Sequence, residues 1–121
     1  MTQDWARPVV HWELQAKDPQ RQREFYARMF NWDIGDGRIM PIPAGIGAPD
    51  AANFTGHILP ADASRFVLFI QVLDLSASLD RAKELGGSVL HGAIDVPQGD
   101  GVVTIARIAD PEGNPVVLVQ Q

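Results

Sequence analysis

"VVHWELQAKDPQRQREFY", residues 9–26, decides how the chain is read. Residues 9–15 alternate, with Val10, Trp12 and Leu14 on one side and His11, Glu13 and Gln15 on the other, which is the period of a β-strand. Asp18-Pro19 then opens a helix, because an aspartate side chain can accept from the free N–H groups of a first turn and proline is tolerated at the first helical position. Phe25, Tyr26, Met29 and Phe30 form an apolar stripe expected to face the core, and Asn31 is a left-handed stop. In an isolated antiparallel sheet the row His11, Glu13, Gln15 would simply be the wet face. If that row instead faces inward, an imidazole, a carboxylate and an amide stand together in one site.

Outward from this stretch, glycines and prolines break residues 32–60 into short pieces, with strands expected near 33–39 and 54–59. The loop at 45–50 is the segment expected to move, and "AGIGAP" lacks the Lys-Ser/Thr pair and following helix of a phosphate cradle. Residues 66–73 are a strongly apolar strand, after which Asp74 or Ser76 caps a second helix that turns Leu75, Leu79, Ala82 and Leu85 to the core and stops at Gly86-Gly87. Strands at 88–93, 102–108 and 115–120 complete the chain, joined by turns at "PQGDG" and "DPEGN". The order repeats: two βαβββ modules, at about 8–60 and 65–120, within a single expected domain of 121 residues.

Composition narrows the function. A chain of this length with 45% hydrophobic and 21% charged residues can bury a real core. Its formal charge of -5 offers no basic surface for phosphates, which argues against nucleic acid and anionic membranes as partners. Without cysteine there are no disulfides, thiolate nucleophiles or Cys-held metals, leaving only His, Asp and Glu as ligands. No apolar run reaches the roughly 18–20 residues that span a bilayer, and the first residues have no apolar signal core, so a cytoplasmic location is expected.

"HWELQAKDPQRQREFYARMFNW" and "FIQVLDLSASLDRAKELGG…DPEGNPVVLVQ", in this order and over residues 8–120, resemble the vicinal oxygen chelate superfamily, which includes glyoxalase I, extradiol dioxygenases and bleomycin-resistance proteins. The resemblance implies an α+β fold in which the two modules form a partly open mixed β-barrel with helices packed outside. In metal-dependent members each of four strands places one ligand, two of them histidines or His/Gln and two glutamates or similar. The first position, seven residues before the capping aspartate, is His11; the third, counted back from Gly86-Gly87, is Val67; the fourth, counted from "DPEGN", is Val117. The second falls on Gly56, His57 or neither. An isopropyl group cannot replace the water a divalent ion gives up, so no cofactor is expected and a divalent metal is disfavoured though possible.

The resemblance also turns the His11 face inward, with Trp12 under a helix. The expected ligand cavity is then lined by His11, Glu13, Gln15, Val67, Phe69, Gln71, Val117 and Val119, mostly apolar beyond the polar trio. His11 and Glu13 are the candidates for general acid/base work. His57 and His91, beside glycines, read as surface or edge residues; Phe25 and Tyr26 as core; Trp5 and Trp32 as rim, dimer contact or ordinary packing; Asp110, Glu112 and Asn114 as turn residues. Ser64, Ser76, Ser78 and Ser88 show no neighbouring base. The expected function is small-molecule binding without the family's metal site, holding a hydrophobic or aromatic ligand, in a homodimer like many relatives. The alternatives are a glyoxalase- or dioxygenase-type enzyme (lyase or oxidoreductase) using His11, or metal-free acid/base catalysis by Glu13 and His11.

Overall fold

The computed structural model describes residues 6–43 and 55–121. The elements are β1 (Val9–Ala16), α1 (Pro19–Phe30), β2 (Met40–Ile42), β3 (Thr55–Pro60), β4 (Arg65–Val72), α2 (Leu75–Glu84), β5 (Ser88–Gln98), β6 (Gly101–Ala109) and β7 (Pro115–Gln120). The class is α+β with parallel and antiparallel strand pairs, and the second module has the full βαβββ order. The described residues of the first module hold β1, α1, β2 and β3. Contacts divide the chain into two compact units, Val10–Val67 and Leu68–Gln121 together with the stretch ending at Val9.

In the first unit β3 lies between β1 and β2. It runs parallel to β1, pairing His11 with Thr55, Glu13 with His57 and Gln15 with Leu59, and antiparallel to β2. Paired residues in a ladder share a face, so the two strands together present one polar and one apolar surface. On the apolar side Leu14, Ala16, Ile34, Met40, Ile42 and Ile58 form the core, with Trp12, Tyr26, Ala27 and Trp32 packed against it. Burying Ile58 completely contributes about 1.5–3 kcal/mol. Trp32 stacks on Tyr26 at 5.5 Å and tilts toward Trp12 at 5.8 Å, so it packs within the unit.

Helix α1 begins as its sequence dictates: Asp18 accepts from the Arg21 N–H at 3.1 Å, Pro19 occupies the first turn and Asn31 stops it in the left-handed region. Its stripe is different from expectation. Only Tyr26 of the four apolar residues turns in with Ala27, while Phe25 is 56% exposed and Met29 63%, with Phe30 exposed as well. Four residues at i, i+1, i+4 and i+5 cover more of the helix circumference than one sheet face can cover, and the half toward Phe25 is left over.

A second difference concerns residues 33–39, which form no strand; β2 starts at Met40. Gly35 takes its place beside β2 by donating to the Pro41 carbonyl at 2.9 Å, and the Ile34 carbonyl is held by two donors of Arg23 at 3.0 and 2.9 Å. The segment is thus pinned by side-chain and isolated backbone bonds where a ladder was expected. "AGIGAP", the 45–50 loop and Trp5 lie outside the described residues.

In the second unit the order is β4-β7-β6-β5, with β4 and β7 parallel and β6 antiparallel to both neighbours. Its core joins Val72, Leu75, Ala106 and Leu118, with Ile70, Leu79, Ile108 and Val116 alongside. Asp74 caps α2, accepting from Ala77 N–H at 3.0 Å, and Gln120 from β7 accepts from Leu75 N–H at 2.8 Å while donating to the Leu73 carbonyl at 2.7 Å. Leu85, expected in the core, is exposed, because the helix ends at Glu84 and residue 85 swings out as its cap before Gly86 enters the left-handed region. Asp110 accepts from Glu112 N–H and Asn114 N–H, both at 2.9 Å, so "DPEGN" is the turn that was read. The Asn114 contacts hold the Asp110 carboxyl below the usual carboxylate range.

Candidate functional site

The row that opened the reading does not face water. Glu13 is 2% exposed, and His11 and Gln15 beside it are half-buried. Parallel pairing of β1 and β3 sets Thr55 next to His11 and His57 next to Glu13 on that same face, and the side chains join into one chain of contacts. Thr55 Oγ1 lies 2.9 Å from His11 Nδ1, His11 Nε2 lies 2.7 Å from His57 Nδ1, and His57 Nε2 lies 3.0 Å from Glu13 Oε1. Gln15 Nε2 donates to Glu13 Oε2 at 2.8 Å. The two imidazoles stack with centroids 4.9 Å apart.

One set of protons satisfies every contact with neutral imidazoles and an ionised Glu13. The Thr55 hydroxyl donates to His11 Nδ1, His11 Nε2–H to His57 Nδ1, and His57 Nε2–H and the Gln15 amide to the two carboxylate oxygens. All donors point toward Glu13. A buried carboxylate needs such partners, since an unpaired one would cost several kcal/mol. Burial first, and then the neighbouring His57 ring, hold His11 below its ordinary value of 6.5; the Glu13 charge opposes both. Among the described residues no buried side-chain polar atom lacks a partner.

His57 is the residue the sequence reading misplaced. Its side chain is 14% exposed and bonded at both ring nitrogens, so it is no edge residue. Gly56 points the other way, beneath the Trp12 ring, so of the two candidates for the second family position only His57 shares a face with His11 and Glu13. The signal lay in the alternation Thr55, His57, Leu59 against Gly56 and Ile58, and became readable only with the β1–β3 pairing. His91 sits on the surface, as read, bonded to the Gly92 carbonyl.

The remaining expected cavity residues follow the second parallel pair. Val67 at the start of β4 and Val117 on β7 are both 0% exposed. Phe69 pairs with Val117 and Gln71 with Val119, so these four share a face by the same ladder geometry as the polar set. Gln71 also lines a hollow of about 260 Å³ with Arg7, Pro8, Leu73 and Gln121.

The donor set does not fit the divalent ion that the resemblance implies. Positions three and four are hydrocarbon. Zinc bound by two imidazoles holds each nitrogen at about 2.0–2.1 Å, which separates the two nitrogens by roughly 3.3 Å. Here the facing nitrogens of His11 and His57 are 2.7 Å apart and share a proton, and the other His57 nitrogen serves Glu13. Among the described residues no group of three or more His, Cys, Asp or Glu side chains can hold a metal ion.

Fold and site together define a chain of the vicinal oxygen chelate class, α+β, built on repeated strand-helix modules. Residues 11–119 match the pattern of the Glyoxalase-like domain, and the chain belongs to that family. No curated protein matches it in sequence. Among solved structures it is similar to a glyoxalase/bleomycin resistance protein/dioxygenase superfamily member from Vibrio splendidus, with TM-score 0.66 at 13% identity, covering 95% of this chain and 98% of that one. It is similar to methylmalonyl-CoA epimerase from Mycobacterium tuberculosis, with TM-score 0.58 at 15% identity, covering 93% and 86%. A variant of 4-hydroxymandelate synthase from Streptomyces coelicolor aligns at TM-score 0.66 and 14% identity, covering 94% of this chain and 38% of that one. At these identities the likeness is one of fold. No helix among the described residues is long and apolar enough to cross a membrane.

Proposed function

We propose that this chain is a metal-independent small-molecule-binding protein of the glyoxalase-like family, cytoplasmic and homodimeric, which holds an apolar or aromatic ligand against a few polar groups. The observation that carries this reading is the engagement of the His11 and His57 nitrogens with each other and with Glu13, at distances that leave them as hydrogen-bonding groups. Val67 and Val117, both fully buried, support it by supplying hydrocarbon at two of the four positions where metal-dependent relatives place ligands. The test measures metal content of purified protein and its melting temperature with added Ni²⁺, Zn²⁺, Mn²⁺ or Fe²⁺. Substoichiometric metal, no stabilisation by any ion, and stabilisation by aromatic small molecules in the presence of a chelator are expected. One equivalent of tightly held metal overturns the reading.

The contact chain favours a second reading, metal-free acid/base catalysis on a carbonyl compound. A proton taken up at His11 Nδ1 releases the Nε2 proton to His57 Nδ1, leaving an imidazolium beside the Glu13 carboxylate, so charge is gathered where an anion waits for it. Turnover that survives a chelator and disappears in Glu13→Gln supports this reading. Turnover unchanged by that substitution ends it.

A further inference from the structure

We propose that Thr55 is a nucleophile, its hydroxyl activated by His11, His57 and Glu13 to take the acyl group of a small carboxylic ester, which water then removes. This activity adds a reaction to the metal-free reading above and rests on the same contact chain.

The group that meets His11 Nδ1 is the Thr55 hydroxyl, at 2.9 Å, well within the roughly 2.6–3.2 Å over which a base can take a proton from a nucleophile. Behind that base stands an orienting group, as a hydroxyl-imidazole-carboxylate triad requires, here reached through a second imidazole: His11 Nε2 to His57 Nδ1 at 2.7 Å, then His57 Nε2 to Glu13 Oε1 at 3.0 Å. Exposure falls along the same line. Thr55 and His11 are half-buried, and Glu13 is buried, so the hydroxyl is at the open end and the charge at the closed one.

The second module shows that the fold has no need of these groups. Glu13 stands five residues before the capping Asp18, as Phe69 stands five before the capping Asp74. Glu13 pairs with His57 across parallel strands, and Phe69 pairs with Val117 in the same way. A phenyl and an isopropyl group thus fill the places that a carboxylate and an imidazole fill in the first module. Hydrocarbon in place of a buried charged pair is commonly neutral or stabilising, so the first module keeps its polar chain at some cost to stability.

The chemistry closes on itself. Thr55 Oγ1 forms a bond to the acyl carbon as its proton passes to His11 Nδ1; the Nε2 proton of His11 moves to His57 Nδ1, and the imidazolium so formed lies against the Glu13 carboxylate. The ester C–O bond breaks, and the departing oxygen takes the proton back from His11 Nδ1. Water then attacks the acyl-threonine by the same proton path, so ester and water become acid and alcohol with no other reactant. The threonine methyl crowds its own oxygen, which favours a short acyl group such as acetyl.

The test is reaction with p-nitrophenyl acetate in a chelator, read by p-nitrophenol release and by peptide mass mapping of acid-quenched samples. Wild type carries an acetyl group on Thr55. Thr55→Val, which keeps the shape without the hydroxyl, carries none at that position and releases p-nitrophenol more slowly; Thr55→Ser carries the acetyl on the serine and gains it faster, because a primary hydroxyl is less crowded. His11→Gln and Glu13→Gln, each checked for a wild-type circular dichroism spectrum, slow the acetylation of Thr55 by about 10²-fold. A wild type that neither carries acetyl on Thr55 nor outpaces Thr55→Val overturns the nucleophile, needs no variant of the relay to fold, and leaves the ligand-binding reading standing. Acetylation of Thr55 at an unchanged rate in folded His11→Gln overturns the relay. One equivalent of tightly held metal overturns this activity and the metal-free reading together.

Discussion

The Trp12 indole lies flat across Gly56 of the neighbouring strand, so close that a Cβ at 56 would overlap the ring. The glycine is required by its neighbour. Gly56→Ala is therefore expected to destabilise the protein by about 1–3 kcal/mol through overpacking. Urea unfolding followed by tryptophan fluorescence measures this, and Trp12→Leu in the same chain should recover part of the loss.

Glu13 is the acceptor on which the polar chain ends, and removing it strands two donors. Glu13→Leu leaves His57 Nε2–H and the Gln15 amide without their acceptor, at a cost of about 1–3 kcal/mol for each group left unsatisfied. Glu13→Gln keeps the shape and an acceptor oxygen for His57, and should lose less. Chemical denaturation of both variants gives the comparison, and equal losses would mean that the contacts contribute little.

Acid should weaken the fold through His11. Its folded value lies below the ordinary 6.5, so between 6.5 and that lower value the unfolded chain carries a proton that the folded chain does not. Stability from this source is whole above pH 6.5 and is lost as pH falls through that window. Melting temperatures between pH 7.5 and 5 should decline more steeply in wild type than in His11→Asn, and parallel declines would count against the assignment.

Helix α1 depends on its cap. Asp18→Ala removes the acceptor for Arg21 N–H and should cost about 0.5–2 kcal/mol. The loss should appear as faster hydrogen exchange in the first turn of the helix before any change in β5 or β6.

Much of this was legible before any coordinates. Period-two alternation indicated β1 and the Asp-Pro pair the start of α1, because each is a local pattern with a local cause, while the α+β class came with the family resemblance. His57 was not legible. Its role depends on strand β3 lying parallel to β1 with Glu13 opposite, a pairing across 44 residues that no neighbouring sequence records. The outward half of the α1 stripe was missed for the opposite reason: the apolar pattern is present, and only the width of the sheet beneath decides how much of it is covered. Residues 33–39 misled because glycines beside apolar residues look like a short strand, while Arg23 holds the Ile34 carbonyl from a helix above.

The pairing of β1 with β3 makes the polar cluster an all-or-none property of chain length. Strand side chains alternate, so a slip of one residue in β3 would swing Gly56 and Ile58 inward, carry the second imidazole to the far side, and maroon Glu13 in hydrocarbon. Loss or gain of a single residue that shifted this frame would therefore be felt as a misfolded sheet and a bare buried charge at once, and two such changes that cancel would be tolerated where either alone is not.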